Sequence, residues 1–159
     1  MKVDILCVGR IKEKFFCDSI DEYSKRLSKF CKLNIIEARD EKTPDNASDK
    51  VTLNIIETEA ERIQKNIDDK AFVIALCIEG KQISSTDFAD KITSIENDSI
   101  SHIQFIIGGS LGLSDGIKSR ADMKLSFSKM TFPHQLMRVV LLEQLYRAYK
   151  IKAHEPYHK

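Results

Sequence analysis

The chain has 159 residues, 42% of them apolar and 31% charged, with a formal net charge of +1. That length suits one domain over residues 1–159 with a real hydrophobic core, and the composition excludes a disordered chain. Its four cysteines form no CxxC and its histidines no cluster, so reduced, mostly buried thiols are expected and a metal site is not.

In chain order, "VDILCV" (3–8) is a short apolar run ending at Gly9, which predicts a buried strand. The run is too short for a signal peptide or a membrane span, so a cytoplasmic protein with no membrane partner is expected. Phe16, Ile20, Tyr23, Leu27 and Phe30 then recur at helical spacing along one face. "LNIIEA" (33–38) predicts a second strand, and "RDEKTPDNAS" (39–48), with Pro44, a polar loop. Ile56, Ala60, Ile63 and Ile67 mark a second helix with a charged outer face. "AFVIALCI" (71–78) is almost uniformly apolar, as expected of a central strand covered on both faces. Ser84 followed by Asp87 predicts a capped third helix bearing Phe88, Ile92 and Ile95. "HIQFII" (102–107) is a fourth strand running into Gly108 and Gly109. "MKLSF" (123–127) is a fifth, and "HQLMRVVLLEQLYRAYKI" (134–151) is the last helix. This alternation predicts an α/β fold, a three-layer sandwich around a mostly parallel sheet.

Ligands in such sheets bind beyond the carboxyl ends of the strands. The informative loops are therefore "EGKQISS", "GGSLGLSDG" and "SKMTFP". Adjacent glycines at a strand end allow a ligand or another backbone to approach closely, and equally allow a tight turn. The spacing is not GxGxxG and no Walker lysine follows, which argues against a dinucleotide or a nucleoside triphosphate. Lys129 alone reads as a solvated loop lysine, yet Phe127 and Phe132 around it suggest a loop that walls something. His134 follows Pro133 at the first turn of a helix, where orphan amides attract anions and where an imidazole also caps locally.

Along the last helix, taking about 100° per residue, apolar side chains from Met137 to Tyr149 fill an arc of roughly 200°. One sheet does not need that width, so a second buried contact is expected, most simply with another copy of the chain. Arg138 falls within the arc. A buried guanidinium must be paired, for instance with Glu143 across a dimer, or must face a ligand. Residues 117–159 hold nine Lys/Arg against three Asp/Glu, which is +6, leaving sixteen against twenty-one, or −5, in 1–116. A basic end suggests an anionic partner, and it also complements a helix dipole. The tail "AHEPYHK" reads either as a frayed end or as a stiffened pair, Tyr157 and His158, able to stack on a base and handle a proton.

Together, "IIGGSLGL", "LSFSKMTFPHQLMRVVLLEQLYRAYKI" and "EPYHK", with the opening "MKVDILCVGRIKEKF" and "IEGK", resemble the RlmH family of the SPOUT class of methyltransferases over essentially the whole chain. The resemblance implies a deep C-terminal trefoil knot that holds S-adenosyl-L-methionine, and an obligate homodimer. It also implies methylation of N3 of the pseudouridine at position 1915, in helix 69 of the large-subunit rRNA, on assembled ribosomes. Carried over by position, it implies a cofactor pocket of Leu76, Gly108, Phe127, Ser128, Lys129, Met130, Thr131 and Phe132. It places Arg138, Tyr157 and His158 at the target base as catalytic residues. His158 is then the candidate base and Arg138 the candidate stabiliser of a deprotonated imide. A side chain at Gly108 is expected to fill the cofactor's space while leaving the fold intact. The small acidic N-terminal half leaves no room for an accessory RNA domain, so basic residues near the site and the ribosome's own shape are expected to supply recognition. The alternative is a non-catalytic, ribosome-associated binding protein with the same fold. The glycine spacing disfavours a nucleotide-binding oxidoreductase.

Overall fold

In residues 1–157, which the computed structural model describes, strands and helices alternate throughout. They are β1 (Lys2–Val8), α1 (Lys14–Leu27), β2 (Lys32–Ala38), α2 (Asp49–Gln64), β3 (Phe72–Lys81) and α3 (Ser85–Asn97). β4 (His102–Ile107), α4 (Asp115–Arg120), β5 (Met123–Leu125) and α5 (His134–Lys152) follow. The sheet order is β2-β1-β4-β3-β5 and its paired strands are parallel. β4 is central and buried over its whole length: Ile103, Phe105 and Ile107 make one face apolar, while His102 and Gln104 precede Ile106 on the other.

Side chains alternate across a strand, so each strand feeds two cores. Val3, Ile5 and Cys7 of β1 join Ile103, Phe105 and Ile107 of β4 beneath α1, α3 and α5. Leu6, Val8, Val73, Ala75 and Ile106 face the other way, against Ala60 and Ile63 of α2 and Ile117 of α4. The result is the expected three-layer sandwich. Ser84 caps α3 as expected: its hydroxyl accepts from the Asp87 amide at 3.1 Å, and the Asp87 carboxylate accepts from the Ser84 amide at 3.2 Å.

Several elements differ from the sequence expectation: α1 stops at Leu27, so Phe30 lies beyond its end, and β5 stops at Leu125 rather than running to 127. The buried stripe of α2 is Ile55, Glu59, Ala60 and Ile63, and Ile67 lies beyond the helix end, where a turn carries it back against the same core. β3 runs on to Lys81 because Lys81 and Leu76 both pair with Leu125 across a register shift. α4 follows the glycine-rich loop as an unanticipated short helix, capped by the Ser114 hydroxyl, which accepts from the Ile117 amide at 3.2 Å.

At the amino end of the sheet, a buried polar cluster ties β1, β2 and β4 together. The Asp4 carboxylate accepts from Asn34 Nδ2 at 2.7 Å and Gln104 Nε2 at 3.3 Å. His102 Nε2 lies 2.8 Å and Lys2 Nζ 3.0 Å from its second oxygen. Burial pushes this carboxyl up, but the bonds from Asn34, Lys2, His102 and Gln104 outweigh burial and hold it below its ordinary value. A carboxyl depressed in the folded state contributes stability above its unfolded pKa, and loses it as pH falls through the folded value. Asp4→Ala is therefore expected to lower stability by about 3 kcal/mol at neutral pH. In urea titrations the gap between variant and wild type should narrow as pH falls below about 4.

Candidate active site

The chains leaving β3, β4 and β5 enclose a cavity of about 760 Å³ at the carboxyl ends of these strands, a size suited to a small organic ligand. Its walls are built by close backbone packing. A Cβ on Gly80 would lie 2.6–2.8 Å from backbone atoms of Lys124 and Leu125, so residue 80 must be glycine for the β3 end to pass over β5. The turn after β4 is closed by the Gly112 amide, which donates to Gly109 O at 3.1 Å, with Gly112 at φ +86°. The loop after β5 is bonded to itself: the Ser126 hydroxyl donates to Ser128 O and the Ser128 hydroxyl accepts from the Met130 amide, both at 2.9 Å.

Of the residues proposed for a cofactor, Leu76, Gly108, Phe127, Ser128, Met130, Thr131 and Phe132 line this cavity. Lys129 lies in the same loop but is exposed and is not among the lining residues. Met130 is 74% exposed, an unusual state for a large apolar side chain, and it stands at the cavity wall with Ile78 and Phe132. The expectation for Gly108 needs correction. A Cβ there would sit 2.6 Å from both C and O of Gly112, so a side chain displaces the turn itself before it meets any ligand.

Arg138 is 1% exposed. Its partner is Glu37 of the same chain at 2.6 Å, not Glu143, and it also donates to the carbonyls of Val8 at 3.1 Å and Gly9 at 2.6 Å. Glu143 instead pairs with Arg147 at 2.6 Å. Arg138 thus fastens the first turns of α5 to the carboxyl ends of β1 and β2. Reaching a target base would require this side chain to be uncovered. His134, one turn earlier, lines the cavity beside Gly9. Burial and then the Arg138 charge lower its pKa, against the opposite pull of Asp40 and Glu13, so its neutral form is favoured.

Tyr157 is not at the cavity. Its ring packs 5.0 Å from that of Tyr146, Arg147 sits 4.7 Å from its centroid, and its hydroxyl donates to Glu143 at 3.4 Å. That patch is about 9–15 Å along α5 from Met137, at 1.5 Å per residue. His158, the candidate base, lies outside the described residues.

The basic C-terminal segment is largely ion-paired within the chain. Of the nine cations in 117–159, Lys118, Arg120, Arg138, Arg147, Lys150 and Lys152 form ion pairs with Glu79, Asp69, Glu37, Glu143, Glu155 and Glu96. Sequence reasoning missed Lys118 and Glu79, which both line the cavity. A six-residue helix shows too little periodicity to be read, and Glu79 was visible only as part of "IEGK". Among the described residues no group of His, Cys, Asp or Glu has the arrangement of a metal site, and no helix is long and apolar enough to cross a membrane.

Residues 1–158 match the family model described as "Predicted SPOUT methyltransferase". A protein of Bifidobacterium adolescentis named ribosomal RNA large subunit methyltransferase H is 62% identical over 159 residues, covering both chains completely. A protein of the same name from Bifidobacterium animalis subsp. lactis is 59% identical over the same span. Among solved structures, a probable methylase family protein from Haemophilus influenzae Rd KW20 superposes with a TM-score of 0.57 at 12% identity, covering 99% of this chain and 70% of the other, which shows a shared fold.

The Arg138 clamp yields a direct test. Arg138→Met leaves Glu37 and two carbonyls without their donor and should destabilise the fold by about 3–5 kcal/mol in urea unfolding. A variant as stable as wild type would remove Arg138 from the role of fastener.

Proposed function

The chain belongs to the SPOUT methyltransferase family, and from that membership we propose that it transfers the methyl group of S-adenosyl-L-methionine to a base of large-subunit ribosomal RNA. The cavity carries this reading: seven of the eight positions that the sequence resemblance assigns to the methyl donor line it. The names of the full-length relatives support the RNA substrate. Volume and lining both fit such a donor, with Leu76, Ile107, Leu125 and Phe127 offering apolar walls to a nucleoside. The crossing of 77–81 over β5, with Ser126 N donating to Lys81 O at 3.0 Å, supports the knotted C-terminal segment of the proposal.

When bound, the donor supplies an electrophilic methyl group on a sulfonium. The protein's own part is to hold the reactants in line and exclude alternatives. Arg138 sets the angle at which α5 leaves the 126–133 loop, and so positions the cavity wall. In the finer reading the nucleophile is N3 of the pseudouridine at position 1915, in helix 69 of assembled ribosomes, and the protein works in the cytoplasm. That imide nitrogen must lose its proton, and His158 is the proposed acceptor.

The second half of the proposal is a homodimer. Leu136, Val139, Val140 and Tyr146 form a half-buried apolar stripe on α5, at helical spacing. Tyr157 lies over one end of that stripe, so its contribution to a target site runs through the dimer contact. Sedimentation at micromolar concentration should give about 36 kDa, twice the 18.2 kDa chain. A monomer that still transfers methyl groups would remove this half.

Labelled donor and purified ribosomes test the first half. Wild type should bind the donor in a calorimeter and transfer label to large-subunit rRNA. His158→Ala should bind the donor normally and transfer roughly 10²–10⁴-fold more slowly, with partial recovery at higher pH as the imide ionises unaided. Wild-type protein that binds ribosomes and transfers nothing would favour the non-catalytic alternative.

A further inference from the structure

Among the described residues lining the cavity, Glu79 is the one carboxylate and Lys118 the one ammonium. Lys118 Nζ lies 2.6 Å from Glu79 Oε1, with the fully exposed Asp115 carboxylate 3.5 Å from the same nitrogen. The two side chains come from different walls, Glu79 from the end of β3 and Lys118 from α4. Each holds the other charged: the Lys118 bond keeps the Glu79 carboxyl below its ordinary value, and the Glu79 bond raises Lys118. Much of the remaining wall is apolar, including Leu76, Ile78, Leu111, Leu113, Leu125 and Phe127.

A methyl donor of the proposed class has two unlike ends. The nucleoside suits an apolar wall. The amino-acid end carries an α-ammonium and an α-carboxylate, and desolvating either charge without a partner is strongly unfavourable. The Glu79–Lys118 pair gives both a partner. A zwitterion laid beside it with poles reversed meets an opposite charge at each end, and the protein's own pair stays in contact. Lys118 is the more buried member, its side chain 23% exposed against 53% for Glu79, so the carboxylate is held on the better-shielded side. Charge-assisted hydrogen bonds of this kind are the stronger class.

We propose that Glu79 binds the α-ammonium and Lys118 the α-carboxylate of the methyl donor, so that the pair selects a nucleoside bearing an amino-acid end. The inference rests on the reading that the cavity holds S-adenosylmethionine.

Calorimetry with three probes tests it: S-adenosylmethionine, its decarboxylated analogue, and 5′-methylthioadenosine, which lacks the whole amino-acid end. Wild type should prefer S-adenosylmethionine over the decarboxylated analogue by about 10-fold or more. Lys118→Met should bind those two equally, while its affinity for 5′-methylthioadenosine stays within about 2-fold of wild type, the reading for an intact cavity. Glu79→Gln should weaken both ammonium-bearing probes and spare 5′-methylthioadenosine. A pair that merely latches the β3 end to α4 would weaken all three probes alike on substitution. That result, or an unchanged preference in Lys118→Met, overturns the inference alone. Wild-type protein that binds none of the three overturns the methyl-donor reading and this one together.

Discussion

The buried guanidinium of Arg138 is the constraint on which the rest of the site depends. It lies where α5 crosses the carboxyl ends of β1 and β2, and its donors reach Glu37, Val8 O and Gly9 O. Removing a charge from water is unfavourable unless pairing and hydrogen bonds compensate. Here one carboxylate and two carbonyls do so, and the geometry permits little variation. The helix start is therefore fixed relative to the sheet, and with it Pro133, His134 and the loop that walls the cavity. One further effect is local. The same burial, only partly countered by Arg138, raises the Cys7 thiol to about 12, so this cysteine is chemically quiet beside the clamp.

The cavity itself is shaped by backbone rather than by large side chains. Gly80 and Gly108 each lie where a Cβ would meet another segment's main chain below 3 Å. Gly109 backs onto Val8 and Glu59, each 3.0 Å from where its Cβ would be. Glu59 is itself buried and accepts from the Glu41 amide at 2.9 Å, which joins the 39–48 loop to the underside of the glycine turn. Burial raises this carboxyl, the Glu41 amide lowers it, and the Asp40 and Glu41 charges raise it again. The turn that faces the cavity is thus packed from behind by α2. A ligand pocket bounded by glycine turns gains closeness of approach and loses tolerance to substitution, because each turn is already at contact distance.

What was legible in the sequence follows from this division. Strands such as 102–107 and the helix from His134 were readable because their burial is periodic or complete. The α3 cap was readable because Ser84 and Asp87 bond locally. The loops of the site were readable because glycines and phenylalanines at strand ends are unusual. Which side of a loop a residue faces was not, and Lys129 turned outward while its neighbours lined the cavity. Nor was the partner of Arg138, since Glu37 is 101 positions away and Glu143 looked nearer. α4 escaped because its cap, Ser114, reads as the tail of a glycine loop, and with it went Lys118.

The ion pairs bear on how an RNA would be held. A basic segment attracts phosphates by exchanging small counterions for the polyanion, and its gain grows with the number of charges free to exchange. Among the described residues of 117–159 six of the eight cations already have a carboxylate within the chain, so engaging a phosphate would mostly trade one anion for another. With a net charge of +1, the protein carries little long-range attraction to compensate. Affinity for an unstructured RNA strand should then be low and weakly dependent on salt. Selectivity must arise at short range, from shape, from stacking and from the fit of a base that reaches the cavity. A folded RNA held rigid by a large assembly meets those demands better than a free strand, because its base is presented without the entropy cost of ordering it.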